Sequence, residues 1–145
     1  MRALIQRVAS ASVVVDNLPI GEIDRGILLL LGVQKHDNEK AAEKLLSKVL
    51  AYRIFPDNNG HMNLSLSDID GELLIVSQFT IAANTKKGLR PSFSSAAPPE
   101  KAEALYKYVV DVANESCRHV ATGRFGADMQ VSLVNDGPVT FLLEV

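Results

Sequence analysis

A chain of 145 residues with 47% hydrophobic and 22% charged residues has the length and composition of one ordinary folded domain, which excludes a disordered or disulfide-built class. Its 15 Lys and Arg against 17 Asp and Glu leave a net charge of -2, without the broad positive footprint of nucleic-acid binders, so any RNA contact has to be local. The longest apolar run, Ile27 to Gly32, falls far short of the roughly 20 residues a membrane span requires, no export signal is visible, and the lone Cys117 permits no internal disulfide, so a cytoplasmic protein without a membrane partner is expected.

Alternation of apolar and polar residues in Arg2 to Val8 and again in Ser12 to Asp16, a turn signal at Asn17-Leu18-Pro19, and the leucine-rich Ile27 to Val33 predict a β-meander. Asp37 is placed to cap a helix over Asn38 to Tyr52, where Ala42, Leu45, Leu46, Val49 and Leu50 recur at spacings of three and four. Arg53-Ile54-Phe55 returns to extended chain, and Pro56-Asp57-Asn58-Asn59-Gly60 carries turn-forming residues. The segment Glu72 to Phe79 is too continuously apolar at its centre for a strand with one wet face, so it is predicted as a buried central strand. From Thr80 to Pro99 periodicity vanishes, giving a loop longer than a compact domain carries without a functional reason. A second helix follows from Pro98-Pro99 to near His119, with Ala102, Leu105, Tyr106, Val109, Val110, Ala113 and Cys117 as its apolar stripe. Met129 to Val134 and Val139 to Val145 alternate around Asn135-Asp136-Gly137-Pro138, predicting two closing strands joined by a Gly-Pro turn. The sum is a single α/β domain over residues 1–145, mostly sheet with two principal helices.

Ser77-Gln78-Phe79-Thr80 is the strongest local signal for chemistry, because polar side chains appear where a buried strand gives way to the long loop. Two readings stay open there: a ligand site, or residues that only satisfy a strand end. Thr80 as a nucleophile needs a base, and no His, Lys or Asp sits at a helpful spacing, whereas the backbone N–H groups of Phe79 and Thr80 suit an oxyanion hole without any special side chain. Gly137 and Pro138 read as an ordinary turn on residues alone. His36, His61 and His119 are scattered without a metal-binding spacing, and Gly21, Gly26 and Gly32 match no nucleotide fingerprint, so no metal and no cofactor are expected. Lys86, Lys87 and Arg90 bring three cations into the long loop, where they either meet phosphates or are merely solvated.

In order and spacing, Ser77-Gln78-Phe79-Thr80-Ile81, Arg90-Pro91-Ser92-Phe93, Thr122-Gly123-Arg124-Phe125 and Asn135-Asp136-Gly137-Pro138-Val139-Thr140 resemble the D-aminoacyl-tRNA deacylase family, as does the opening Ala3-Leu4-Ile5-Gln6-Arg7-Val8. The likeness runs from Met1 to Val145, and its visible departure is Ile81, where leucine is usual. The resemblance implies a sheet curled into a barrel-like core and a homodimer. It also implies hydrolysis of the ester of D-aminoacyl-tRNA, and of glycyl-tRNA mischarged on the alanine tRNA, to free amino acid and tRNA, with no DNA partner. Ser77, Gln78, Phe79 and Thr80 would line the ester site. A cis Gly137-Pro138 turn would reach into the partner subunit and reject L-amino acids, and Arg7 would brace that turn. Phe125 and Met129 would border an adenosine pocket. A ribose hydroxyl of the tRNA would assist the attacking water, with a covalent Thr80 as the competing mechanism. A tRNA-binding dimer without catalysis, and a deacylase of altered chirality with a trans Gly137-Pro138 bond, remain the alternatives.

Overall fold

The structure is a computed structural model that describes residues 1–85 and 88–145. Its sheet is built on one long strand, β1 (Arg2–Val15), which pairs antiparallel with β2 (Leu18–Ile23), β3 (Gly26–Gly32) and β8 (Gln130–Glu144). From β3 the sheet continues in parallel through β6 (Glu72–Ser77) to β7 (Val120–Thr122), and β2 packs against β7, so the sheet nearly closes into a barrel. A separate two-stranded ribbon pairs β4 (Phe55–Pro56) with β5 (Met62–Leu64). Two helices, α1 (Glu39–Leu50) and α2 (Pro99–Ser116), cover the outside.

The gap between the two alternating segments of β1 has a structural cause. Val8 pairs with Asn135 and Ser10 with Val134, so two residues of β1 are spent against one of β8. Such a bulge changes which face the odd positions occupy. Before it, Ala3 and Ile5 belong to the core under the helices; beyond it, Ala11, Val13 and Val15 join Val8 in the core inside the curled sheet. β3 and β6 contribute to both: Ile27, Leu29, Leu31, Leu73 and Ile75 meet α1 and α2, while Leu28, Leu74 and Val76 point into the barrel. Burial on both faces is why these two strands read as unbroken apolar runs.

Several local expectations are corrected. The hairpin after β1 turns at Asp16-Asn17, whose φ values of 51° and 64° suit a two-residue turn with both centres left-handed, one step earlier than Asn17-Leu18-Pro19. Asn38, not Asp37, caps α1, its side chain accepting from Ala41 N at 3.0 Å. Asp37 is instead buried: it accepts from the Met1 amino group at 2.6 Å and from Gln34 N at 2.6 Å, because a buried carboxylate needs a charge partner more than a helix needs a second cap. The loop after β6 opens with a 3-10 turn over Phe79–Ala82, and α2 ends at Ser116, leaving room for β7, which the sequence did not signal. The two closing strands are one. Both halves of β8 pair with the same β1 in the same direction, so the Gly-Pro segment bulges out of a continuous strand and reverses nothing.

Candidate active site

β6 runs through the middle of the sheet, and its last residue, Ser77, pairs with Leu31 of β3. Gln78 N donates to Leu31 O at 2.8 Å before the chain turns sharply into the 3-10 turn. That turn lies against Gly32: a Cβ there would stand 3.2 Å from Ile81 Cβ and 3.3 Å from both Ala82 N and Gln78 O, closer than side chains comfortably approach. Glycine at the end of β3 thus lets the turn sit down on the sheet, and Arg2 fastens its far side by donating to Ile81 O at 3.0 Å. Phe79 and Thr80 open the turn, so their N–H groups have no acceptor within it and are available to a ligand.

Beside these donors is a cleft of about 750 Å³, lined by Ser77, Gln78 and Phe79, by Phe125 and Met129, and by Phe93 with the Ala96–Pro99 approach to α2. Five expected site residues therefore meet in one space. Thr80 does not line it; its hydroxyl is exposed and accepts from Gln78 Nε2 at 2.7 Å. Phe79, 60% exposed, packs obliquely on Phe93 with ring centroids 4.9 Å apart, so two aromatic rings stand together in the cleft wall.

Tyr106 is the lining residue that residue patterning took only for core. Its ring lies 5.9 Å from that of Phe125, and its hydroxyl is within 2.9 Å of Ile75 O and 3.2 Å of Gly123 O. Burial pushes this phenol up to about 12, so it serves as a neutral donor tying α2 to the ends of β6 and β7, from which Ser77 and Phe125 arise. The available signal was a polar tip within an otherwise apolar helical stripe. Phe93 stood in plain sight inside Arg90-Pro91-Ser92-Phe93, without any periodicity to place it.

Gly137 and Pro138 do not line the cleft of their own chain. They form the crest of the bulge in β8: Gln6 pairs with Thr140 and Val8 with Asn135, so Arg7 alone faces residues 136–139. The Gly137-Pro138 bond is cis. Gly137 has φ 137°, and a Cβ on it would lie 2.6 Å from Val139 Cγ2, so the crest excludes any side chain. The neighbouring motif residues hold the bulge from within. Asn135 Oδ1 accepts from Val139 N at 3.0 Å and Asn135 Nδ2 donates to Thr140 Oγ1 at 3.0 Å. Arg7 braces it from behind, with Nε donating to Asp136 O at 3.0 Å and Nη1 to Ile54 O at 2.7 Å, and with an ion pair to Asp136 Oδ2 at 3.3 Å.

Arg90 is exposed and lies outside the cleft lining, while Lys86 and Lys87 lie outside the described residues. Among the described residues no group of three or more His, Cys, Asp or Glu is arranged to hold a metal, and no helix is long and apolar enough to cross a membrane.

The family model described as "D-Tyr-tRNA(Tyr) deacylase" matches residues 4–144. Curated proteins named D-aminoacyl-tRNA deacylase are similar over their whole length: one from Pseudoalteromonas translucida is 64% identical, covering 100% of both chains, and one from Cellvibrio japonicus is 62% identical, covering 100% of this chain and 99% of its own. Among solved structures, one named "c-Myc DNA Unwinding Element Binding Protein" superposes with a TM-score of 0.96 at 42% identity, covering 100% of this chain and 99% of that one. A second, named as a probable eukaryotic D-amino acid tRNA deacylase, shares the fold with a TM-score of 0.85 at 17% identity, covering 99% of this chain and 98% of that one.

Proposed function

The chain belongs to the D-Tyr-tRNA(Tyr) deacylase family and is a D-aminoacyl-tRNA deacylase, a hydrolase acting on aminoacyl-tRNA, and on that premise we propose how its residues divide the work. The aminoacyl ester sits against Ser77, Gln78 and Phe79, with its carbonyl oxygen facing the free N–H groups of Phe79 and Thr80. Donors fixed before the reaction stabilise the negative charge as water adds, without any reorganisation at that moment. The terminal adenosine occupies the part of the cleft bordered by Phe125 and Met129. A ribose hydroxyl of the tRNA assists the water, and the C–O bond breaks to release the amino acid and the tRNA.

The observation that carries this reading is the meeting of Ser77, Gln78 and Phe79, where the 3-10 turn opens, with Phe125 and Met129 around one cleft. The crest of β8 acts in trans. In a homodimer, Gly137 and Pro138 of one protomer approach the cleft of its partner and hold the substrate's α-amino group through backbone carbonyls, leaving no room for an L side chain at Cα. D-amino acids and glycine pass, so glycyl-tRNA mischarged on the alanine tRNA is also a substrate. A rigid backbone is suited to this task, because chirality is read at Cα whatever side chain follows.

A covalent route through Thr80 is disfavoured by a specific contact. Gln78 donates to the Thr80 hydroxyl oxygen, and no base hydrogen-bonds that hydroxyl among the described residues. The decisive assay follows hydrolysis of one tRNA charged with D-tyrosine or with L-tyrosine. Loss of the D-ester alone is expected; equal loss of both would leave a non-selective esterase, and loss of neither would leave a binding protein.

A further inference from the structure

Only two residues of charged type, Lys35 and Asp128, appear among the described residues lining the cleft. Lys35 follows β3 and is locked to the opposite lip through the backbone. Its N–H donates to Ser95 O at 3.1 Å, and Ala97 N donates to Val33 O at 3.0 Å. A second lysine reaches the same residue: Lys101 Nζ, from the first turn of α2, donates to the backbone carbonyl of Lys35 at 2.6 Å. Lys101 is half-buried, so its stem is held in place, and the ammonium still has two N–H groups to give. Neither ammonium has a carboxylate within 4.0 Å among the described residues, although Lys107 on the same helix pairs with Glu103 at 2.7 Å.

An acidic chain whose substrate is a polyanion has to concentrate its attraction where the strand passes. We propose that Lys35 and Lys101 bind the backbone phosphate next to the terminal adenosine and so lead the tRNA strand out of the cleft over the junction of the β3–α1 connection with the start of α2. Asp128, the other charged type in the lining, repels phosphate from its own part of the rim. The inference rests on the ester site proposed for this cleft. It concerns a different part of the chain from Arg90, which is exposed on the long loop.

The test uses the full chain with D-tyrosyl-tRNA and the variants Lys35→Met, Lys101→Met, the double variant, Lys35→Arg and, as a control, Arg118→Met. Turnover by the unsubstituted protein is scored first, and its absence overturns the deacylase reading together with this inference. Given turnover, each Met variant raises KM about fivefold at unchanged kcat, and Lys35→Arg stays near the unsubstituted value. The slope of log(kcat/KM) against log salt falls by about 0.7 for each lysine removed, while Arg118→Met, beyond the other end of α2, leaves it unaltered. Lys35→Met is the decisive variant, since its backbone bonds remain. If its KM and salt slope are unchanged, or if kcat falls with the salt slope intact, the lysines are structural and the proposal fails.

Discussion

Thr80 has a hydroxyl, an exposed position and a place in the site motif, yet its oxygen already accepts a hydrogen bond from Gln78 at 2.7 Å. If its backbone N–H is what matters, Thr80→Ala loses one exposed side-chain hydrogen bond worth about 0.5–1.5 kcal/mol, and kcat/KM should fall less than about tenfold. A folded Thr80→Ala protein with no measurable turnover would restore the covalent route. Tyr106 is the opposite case, a hydroxyl buried for architecture. Tyr106→Phe removes the donor serving Ile75 O and Gly123 O, and unfolding at neutral pH should become easier by about 1–3 kcal/mol. Its phenol is raised from 10.0 to about 12 in the fold, so the neutral form favours folding. Its contribution is complete below pH 10 and disappears as the pH climbs towards about 12. Tyr108, bonded to Glu43, is raised similarly, so the comparison has to be between the native chain and Tyr106→Phe. Urea unfolding at pH 8 and pH 11 should give a smaller difference at the higher pH; an equal difference would mean that the phenol is not held neutral.

At the scale of elements, the bulge in β8 is a small assembly whose parts are separable by mutation. Gly137→Ala places a Cβ against Val139 at a φ that L side chains rarely adopt, so the crest itself has to move. Arg7→Ala leaves the crest its own geometry but withdraws the donors to Asp136 O and Ile54 O, the latter on a buried residue. Both variants should raise activity on the L-ester relative to the D-ester. Arg7→Ala should also lower stability by about 1–3 kcal/mol, and Arg7→Lys should not rescue it, because one ammonium cannot span the two carbonyls of a guanidinium fork. Unchanged D/L ratios in both, measured on matched tyrosyl-tRNAs, would separate the crest from stereochemical selection.

For the molecule as a whole, the proposed reaction requires two chains, since Gly137 and Pro138 lie outside the cleft of the chain that carries them. Among the described residues β8 pairs with β1 alone, and Val134 and Leu142 on it are 58% and 55% exposed, an apolar surface suited to burial by a second copy. Light scattering should give twice the 15.7 kDa chain mass, and activity should fall on dilution through the dissociation range. A monomer that discriminates D from L as well as the concentrated protein would end the model of a cross-subunit filter.

The sequence by itself determined the two principal helices and their buried faces, the central strand β6 and the grouping of polar candidate residues at its end, because periodicity and composition are local properties written into the chain. Its four motifs also determined the family. It could not show that the residues around Gly137 form a bulge in one strand, since turn and bulge use the same Gly-Pro chemistry and differ only in which strand each half pairs with. Nor could it show Asp37 seeking the Met1 amino group, Tyr106 tying strand ends together, or Lys35 and Lys101 converging across 66 residues of chain. Those are contacts between segments distant in sequence, and only the closing of the sheet and the docking of α2 decide them.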